Sequence, residues 1–456
     1  MSDLCMLPAH ELGRRLVDGE LSSVELLEAL LARIEQHNPA LNAVVSLDEK
    51  KARKAAQRAD TALRRGEVRG PLTGVPLTLK DGWDVAGMRT TVGTPVLDRV
   101  AKTDSTVAAR LKFSGAIVMG HTNVAPFLAD YITDNEIFGR TVNPWNADRT
   151  PGGSSGGAAA AVAAGLTPLE VGSDLAGSVR LPAHFCGVYG LMATDHRIPV
   201  TGFFAPPPRP IRLLGSSGPI ARDLADLEIA LRVLSGPDGY DAEVPVSPLG
   251  TRRRRKLSSL KVAVAPSLPG APVAASVRAQ VERVAAGLSD AGAKVSERLP
   301  SYDWAEAGQL YGDLLGAIVT VFDPTADVPD EHRTLSWYLR ALSRRDAITG
   351  AWHEFFRDVD VLIAPPALTT AFPHPDGPAI DVDGAPTDRG MEGMALVFAN
   401  LGGLPSLVAP AGTDEDGLPI GLQLVGPAWS DLRLIDIAYE LEQTGVLPGF
   451  TAPPGF

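Results

Sequence analysis

The stretch that decides the fold begins Pro151-Gly-Gly-Ser-Ser-Gly-Gly157, runs through the alanine-rich segment 158–164, and resumes as Gly172-Ser-Asp-Leu-Ala-Gly-Ser-Val-Arg180. It places two serines, Ser154 and Ser178, in glycine-rich backbone on either side of a short apolar run. Glycines beside a serine allow backbone conformations that other residues resist, and they let several N–H groups point at one spot. The pattern is typical of a loop that presents a nucleophilic serine.

Two other interpretations of the glycines compete with this one. Taken alone, Gly-Gly-Ser-Ser-Gly-Gly is more typical of a flexible linker, but a linker does not need the apolar run that follows, which predicts a buried helix. A phosphate-binding loop would end in Gly-Lys-Ser/Thr, which is missing here. Upstream, the strand-like run Val75–Leu79 leads into Lys80, which supplies a possible base for a Ser-Lys nucleophile.

The composition describes a folded protein with a substantial core. The chain has 456 residues, 45% apolar and 21% charged, with a net charge of −12, which disfavours a surface that tracks phosphates. Its only cysteines are Cys5 and Cys186, so neither a disulfide framework nor a cysteine zinc site is expected. The N-terminus has no leader pattern and no apolar run is long enough to span a bilayer, so we expect a cytoplasmic location.

Hydrophobic periodicity predicts strands that alternate with helices. Helices are predicted over 8–36, where Ser22-Ser-Val-Glu25 forms a capping box, and over 49–65, 277–291 and 432–443. Predicted strands are Val75–Leu79, Ala116–Gly120, Leu169–Gly172, Val188–Leu191, Val262–Ala265, Val361–Ala364, Leu407–Ala409 and Gly421–Leu424. Such alternation indicates an α/β sheet covered by helices on both faces.

With these residues in view, the sequence resembles the amidase signature family of serine hydrolases. The matching segments are Gly74–Asp81, Gly115–Asn123, Asn143–Asn146, 151–191, Gly218–Arg222, Asn400–Pro405 and Gly417–Leu424. The resemblance implies one α/β/α domain over 1–456 with a large mixed β-sheet of about eleven strands. It divides the chain into N-terminal helices 1–70, a catalytic core 71–225, a variable substrate-side region 266–398 and a C-terminal core 399–445.

The resemblance also implies a catalytic triad. Ser178 matches the family's nucleophile, Ser154 its bridging serine, held by a cis peptide bond after Gly153, and Lys80 its base. Backbone N–H groups before and at the nucleophile would form the oxyanion hole, namely those of Leu175, Ala176, Gly177 and Ser178. Supporting polar positions are Ser155, Ser173, Asp174 and Arg180, the last of which is expected to pair with Asp174.

Several positions depart from the family's common residues. Ala176 and Gly82 replace a common glycine and a common asparagine, and alanine would be strained if position 176 needs a positive φ. His121 and Met192-Ala193 replace a common lysine and Lys-Pro, and the 128–134 stretch is also unusual. None of these touches the triad, so we expect an intact reaction and an altered substrate.

Two residues near Ser178 offer other chemistry. His184 could suggest a Ser-His pair, although a packing or capping role is the expectation, and Cys186 is expected to be a small buried residue. No metal-binding histidine cluster occurs in the sequence, so neither a metal nor a cofactor is expected.

The sequence therefore predicts an amidase that acts through an acyl-Ser178 intermediate, with possible esterase or urethanase activity on carbamates. Tyr131, Ile132 and the apolar loop 203–210 favour an apolar or aryl substrate. Expected partners are this small molecule and water, without nucleic acid or membrane, for a monomer or homodimer. The alternatives are the glutaminase subunit of a tRNA-dependent amidotransferase, working through partner chains, and a scaffold with a dead site, which the intact triad disfavours.

Overall fold

The computed structural model describes residues 2–204, 212–374 and 377–456. Its helices are α1 (Ser2–Met6), α2 (Ala9–Val17), α3 (Ser23–Leu41), α4 (Glu49–Arg64), α5 (Thr106–Phe113), α6 (Gly156–Ala163), α7 (Arg180–Cys186), α8 (Leu224–Leu234), α9 (Ala275–Asp290), α10 (Trp304–Phe322), α11 (Leu335–Phe355), α12 (Val397–Leu401) and α13 (Asp431–Gln443). Its strands are β1 (Val44–Leu47), β2 (Pro76–Lys80), β3 (Arg89–Thr90), β4 (Arg99–Val100), β5 (Ile117–Thr122), β6 (Asp134–Asn135), β7 (Gly139–Arg140), β8 (Leu169–Asp174), β9 (Tyr189–Met192), β10 (Ser216–Ala221), β11 (Lys261–Val264), β12 (Lys294–Glu297), β13 (Val361–Ala364), β14 (Ala379–Val382), β15 (Ala385–Asp388), β16 (Ser406–Thr413) and β17 (Pro419–Val425).

Eight of these strands form a large mixed sheet in the order β12-β11-β13-β17-β16-β9-β10-β8. Strand β11 runs parallel to β12 and β13, and the remaining pairs are antiparallel. A second sheet of three strands has the order β1-β5-β2, and β2 lies beside β8 at the edge of the large sheet. The α/β class and the large mixed sheet are confirmed, while the eleven strands that were expected in one sheet are divided between these two.

The N-terminal helical segment is broken where the sequence predicted one helix over 8–36. Helix α2 ends at Val17, Gly19 adopts a positive φ of 74°, and α3 starts after Ser22. The predicted capping box is present, since the Ser22 side chain accepts from the Glu25 N–H at 3.1 Å and Glu25 accepts from the Ser22 N–H at 2.9 Å. Its donors are satisfied locally, so α3 can begin directly after the turn.

The alanine-rich run forms the fully buried helix α6, as the sequence predicted. Every residue of α6 is fully buried, and the helix packs against α7, β2, β8 and β10. A Cβ atom on Gly157 would collide with the backbone of Asn123, so only glycine permits this close approach. The helix therefore carries Ser154 and Ser155 to the place where β2 and β8 end.

Among the helices in the described ranges, none combines the length and apolar character needed to cross a membrane.

Candidate active site

Lys80 is the last residue of β2 and its side chain is completely buried. The Nζ atom lies 2.8 Å from Ser154 Oγ, 2.9 Å from Ser173 Oγ and 3.3 Å from the Ser173 carbonyl oxygen. Burial lowers the pKa of Lys80 to about 7, against the opposing influence of the Asp174 and Glu170 carboxylates. The amine is therefore neutral in a substantial fraction of molecules near neutral pH.

The three contacts of Nζ match the hydrogen-bonding capacity of a neutral amine. A neutral amine has two N–H donors and one lone pair, and the Ser173 carbonyl can only accept. If the second N–H donates to Ser173 Oγ, the lone pair faces Ser154 and can accept its hydroxyl proton. Ser154 is then free to accept a proton from another group, which is what a proton relay requires.

Ser154 and Ser178 open onto the same cavity. The peptide bond between Gly153 and Ser154 is cis, as the resemblance implies. Ser154, Ser173 and Ser178 line one cavity of about 50 Å³, and Lys80 lies behind Ser154. Ser178 is 6% exposed and stands in the bend between β8 and α7. The structure thus brings together the three residues that the resemblance assigned to the triad.

The bend before Ser178 depends on Gly177 rather than on residue 176. Gly177 has a φ of 107°, and a Cβ atom there would collide with the side chain of Leu396. Ala176 is not among the residues with a positive φ, so the replacement of the family's glycine introduces no left-handed strain. The Gly177 N–H, one of the four expected oxyanion donors, donates to Asp174 Oδ1 at 2.8 Å.

A buried ion pair holds the bend in place. Arg180 and Asp174 are both fully buried and their charged groups lie 2.9 Å apart. Arg180 also donates to Asn400 Oδ1 at 2.6 Å and to Gln423 Oε1 at 2.8 Å. Burial alone would raise the pKa of Asp174, but the Arg180 guanidinium keeps it below its ordinary value. The carboxylate therefore stays charged and accepts from the N–H groups of Gly177 and Val179.

His184 and Cys186 are occupied elsewhere. His184 Nδ1 accepts from the Gly421 N–H at 2.7 Å, Nε2 lies 3.0 Å from the Thr369 carbonyl, and burial lowers its pKa to about 4. Burial raises the pKa of the Cys186 thiol well above its ordinary value. Neither residue lines the cavity of Ser154 and Ser178, so their geometry favours the packing roles expected from the sequence.

A sequence model of the family described as Amidase matches residues 25–312 and 312–435. The chain belongs to the amidase signature family. A glutamyl-tRNA(Gln) amidotransferase subunit of Moorella thermoacetica is 34% identical to this amidase signature chain over 97% of each. A protein from a vestigial complex linked to the origins of an s-triazine catabolic enzyme superimposes with a TM-score of 0.86, at 28% identity over 97% of this chain and 99% of its own. A bacterial aryl acylamidase gives 0.81, at 27% identity over 97% of each.

These relatives overturn one expectation. The sequence, with its net charge of −12, predicts the exclusion of nucleic-acid partners and a monomer or homodimer. That exclusion is wrong, because the 34% identical relative is one subunit of an amidotransferase named for glutamyl-tRNA(Gln). Net charge was a poor guide to partners because it describes the whole surface and not any one binding site.

Much of the cavity lining is apolar. The apolar lining residues are Phe127, Leu128, Val200, Phe203 and Phe204. Three of them have a positive φ, which is 52° for Phe127, 58° for Leu128 and 48° for Phe204. Backbone strain of this kind clusters at binding sites, where surrounding structure enforces it. Of the predicted loop 203–210, Phe203 and Phe204 line the cavity and residues 205–210 lie outside the described part of the chain.

Gly82 makes room for one of these rings. A Cβ atom on Gly82 would lie 2.8 Å from Cε2 of Phe203 and 3.3 Å from Cδ1 of Leu128. The common asparagine of the family would therefore displace Phe203. The departure at Gly82 is visible in the sequence, but the side chain that fills the space is evident only in the structure.

Tyr131 and Ile132, predicted as pocket residues, do not line the cavity. The Tyr131 hydroxyl donates to the Ala176 carbonyl at 3.0 Å, and Ile132 packs on the apolar cluster that contains Leu181 and Phe185.

Among the supporting serines, Ser173 contacts Lys80, while Ser155 Oγ has no hydrogen-bond partner within the described residues.

Proposed function

We propose that this protein hydrolyses carboxylic amides through an acyl-Ser178 intermediate. The observation that carries the proposal is the fully buried Lys80 amine, 2.8 Å from Ser154, behind the cavity that Ser178 shares. A buried lysine of lowered pKa beside a serine hydroxyl is a base, whereas a structural lysine would pair with a carboxylate or reach solvent. Within the described residues, no carboxylate lies within ion-pair distance of Nζ.

The proposed reaction moves one proton along the three side chains. Ser178 Oγ attacks the amide carbon while its proton passes to Ser154, and the Ser154 proton passes to the Lys80 lone pair. The carbonyl electrons collect on oxygen, opposite backbone N–H groups of the bend. When they return, the C–N bond breaks and the proton travels back to the departing nitrogen. Water then attacks the acyl ester by the same route and releases the acid.

The relatives favour one specific function, that of a glutaminase subunit. The 34% identical chain belongs to an amidotransferase named for glutamyl-tRNA(Gln), and alignment spans 97% of both proteins. In this form the protein would release ammonia from glutamine within an assembly of partner chains. The higher sequence identity, 34% against 27% for the aryl acylamidase at the same 97% coverage, supports this candidate over a generic amidase.

The cavity favours a second candidate, a neutral aryl or apolar amide. Glutamine carries an ammonium and a carboxylate, which need opposite charges in a desolvated site. Of the lining residues described, only Asp174 is charged, and Arg180 already pairs with it. The aryl acylamidase among the structural neighbours shows that the fold accommodates such substrates. Esters and carbamates present the same acyl carbon, so urethane cleavage belongs to this candidate.

One set of assays separates these candidates. The purified protein is given p-nitroacetanilide, an aryl carbamate, or glutamine with and without glutamyl-tRNA(Gln), and nitroaniline, phenol or ammonia is measured. Turnover of the aryl substrates by the isolated chain supports the apolar candidate. Ammonia release that appears only with glutamyl-tRNA(Gln) and co-purified partners supports the glutaminase.

The shared chemistry is tested with Ser178→Ala. This variant should lose all turnover and all labelling by a fluorophosphonate, with an unchanged melting temperature. Wild-type labelling of Ser178→Ala would refute the acyl-Ser178 mechanism for both candidates. We further propose that residues 1–456 act as one cytoplasmic domain that needs no metal or cofactor.

A further inference from the structure

Three consecutive carbonyl oxygens before Ser178 are each held by a side chain from a distant part of the chain. The Asp174 carbonyl accepts from Asn400 Nδ2 at 3.2 Å. The Leu175 carbonyl accepts from the Tyr311 hydroxyl at 2.8 Å, and the Ala176 carbonyl from the Tyr131 hydroxyl at 3.0 Å. Loop carbonyls usually face water, so three protein donors in a row indicate that this backbone is held in one orientation.

Holding a carbonyl also fixes the N–H of the following residue. In a trans peptide the C=O of one residue and the N–H of the next point in opposite directions, and the bend is trans throughout. The Tyr311 contact therefore sets the direction of the Ala176 N–H. The Tyr131 contact sets the direction of the Gly177 N–H, which is already bound by Asp174.

The N–H groups that remain are those of Leu175, Ala176 and Ser178. Within the described residues none of the three donates a hydrogen bond. Leu175 and Ser178 line the cavity, and Ala176 lies between them in sequence. Of these three donors, the Ala176 N–H is the one whose peptide is oriented by a tyrosine hydroxyl.

We propose that Tyr311 is a positioning residue for the oxyanion hole: its hydroxyl holds the Leu175–Ala176 peptide so that the Ala176 N–H faces the developing oxyanion. The proposal rests on the proposed function, because it assumes that Ser178 forms the tetrahedral intermediate. Donors placed before the reaction need no reorganisation at the transition state, and that is the origin of their catalytic effect.

The surroundings of Tyr311 suit this role. It lies on α10, is 6% exposed, and packs in the apolar cluster that also contacts Leu175 and Ala176. Burial raises the pKa of its hydroxyl well above the ordinary value, so the group remains a neutral donor throughout the assay range. Without the hydroxyl, the Leu175 carbonyl loses its partner and the peptide can rotate.

The test compares three Tyr→Phe variants, which delete one hydroxyl each and keep the ring. Tyr311→Phe removes the proposed positioning group and Tyr131→Phe removes the neighbouring contact. Tyr302→Phe is the matched control, because Tyr302 packs against the same cluster but donates nothing to the bend. Kinetics with p-nitrophenyl acetate give kcat and KM, and phenyl trifluoromethyl ketone, which forms a tetrahedral adduct, gives an inhibition constant.

Tyr311→Phe should lower kcat by roughly 10- to 100-fold, less than the 10²- to 10³-fold typical of deleting an oxyanion donor, because the N–H is still present. KM should change little, and the trifluoromethyl ketone should bind more weakly by a similar factor. Tyr131→Phe should lower kcat much less, because Asp174 still holds the Gly177 N–H. Tyr302→Phe should have the kcat of the wild type. A structural role would instead change the melting temperature and KM together.

Each other outcome has one meaning. If Tyr311→Phe matches Tyr302→Phe, or if Tyr131→Phe loses as much as Tyr311→Phe, the positioning proposal is refuted. If ketone affinity stays constant while kcat falls, it is also refuted. These results leave the acyl-Ser178 mechanism standing as long as Ser178→Ala is inactive. An active Ser178→Ala refutes the mechanism and the positioning proposal with it.

Discussion

Burial of Lys80 gives the proposed reaction a pH dependence that can be calculated. Only the neutral amine can accept the Ser154 proton, and the pKa of Lys80 is lowered to about 7 because the amine is fully buried. The neutral fraction then rises with pH through 7 and is complete about two pH units above it. At pH 5 it is about one hundredth of its plateau, so kcat/KM should be on the order of 100-fold lower there than at pH 9.

The measurement is a profile of kcat/KM for p-nitroacetanilide between about pH 5 and about pH 9.5, which reports groups of the free enzyme. Lys80→Arg should have very low activity without this acidic limb, because arginine does not deprotonate in this range. Glu170→Gln is a second informative variant. Burial raises the pKa of Glu170 itself to about 7, and in its charged form Glu170 raises the pKa of Lys80, so its removal should move the limb to lower pH.

A different base would give a different profile. Burial lowers the pKa of His184 to about 4, so a rate that depended on His184 would already be constant above about pH 5. A flat profile from pH 5 upward would therefore refute the assignment of Lys80. A limb near pH 7 that persists in Lys80→Arg with wild-type activity would refute it as well.

Three further predictions concern the relay, the cavity and the ion pair. Ser154→Ala should lower kcat substantially but less than loss of the nucleophile, and normal turnover would exclude the relay. Gly82→Asn should raise KM for p-nitroacetanilide and lower the stability of the fold by about 1–3 kcal/mol through overpacking. Gly350→Asn, whose side chain meets open space, should change neither KM nor the melting temperature. Arg180→Met leaves the buried Asp174 carboxylate unpaired, so it should lower the free energy of unfolding by about 3–5 kcal/mol and also lower kcat. Arg197→Met breaks another buried ion pair and should lower stability by a similar amount in denaturant titrations, without a comparable loss of kcat.

Local signals in the sequence predicted the elements that carry the three proposed catalytic residues. The strand before Lys80 follows from an apolar run interrupted only by Thr78, and the helix after Ser155 follows from an unbroken run of small apolar residues. Such runs, bounded by glycine or a charge, determine structure within a few residues. The capping box at Ser22 is equally local. The predicted helix 8–36 failed at Gly19 because apolar periodicity continues across a turn that only the positive φ reveals.

Long-range contacts could not be predicted in the same way. Tyr311 lies 136 residues from the carbonyl that it holds, and no spacing rule joins the two. Asn400 and Gln423 fall in segments that carried the family resemblance, so a signal for them existed without indicating that both would bind Arg180. The division into sheets of three and eight strands likewise depends on pairing across the chain.

The all-glycine, alanine and valine composition of α6 has a consequence for how the enzyme tolerates variation. Glycine and alanine have no side-chain rotamers, so α6 cannot accommodate an added atom by changing a rotamer of its own. An added methyl group on Gly156 would collide with Thr133, and one on Gly157 with the Asn123 backbone, so the helix would have to shift there. Ser154 and Ser155 directly precede these two glycines. A change of volume in this part of α6 would therefore be passed to Ser154, and so to its 2.8 Å contact with Lys80, on which the proposed reaction depends.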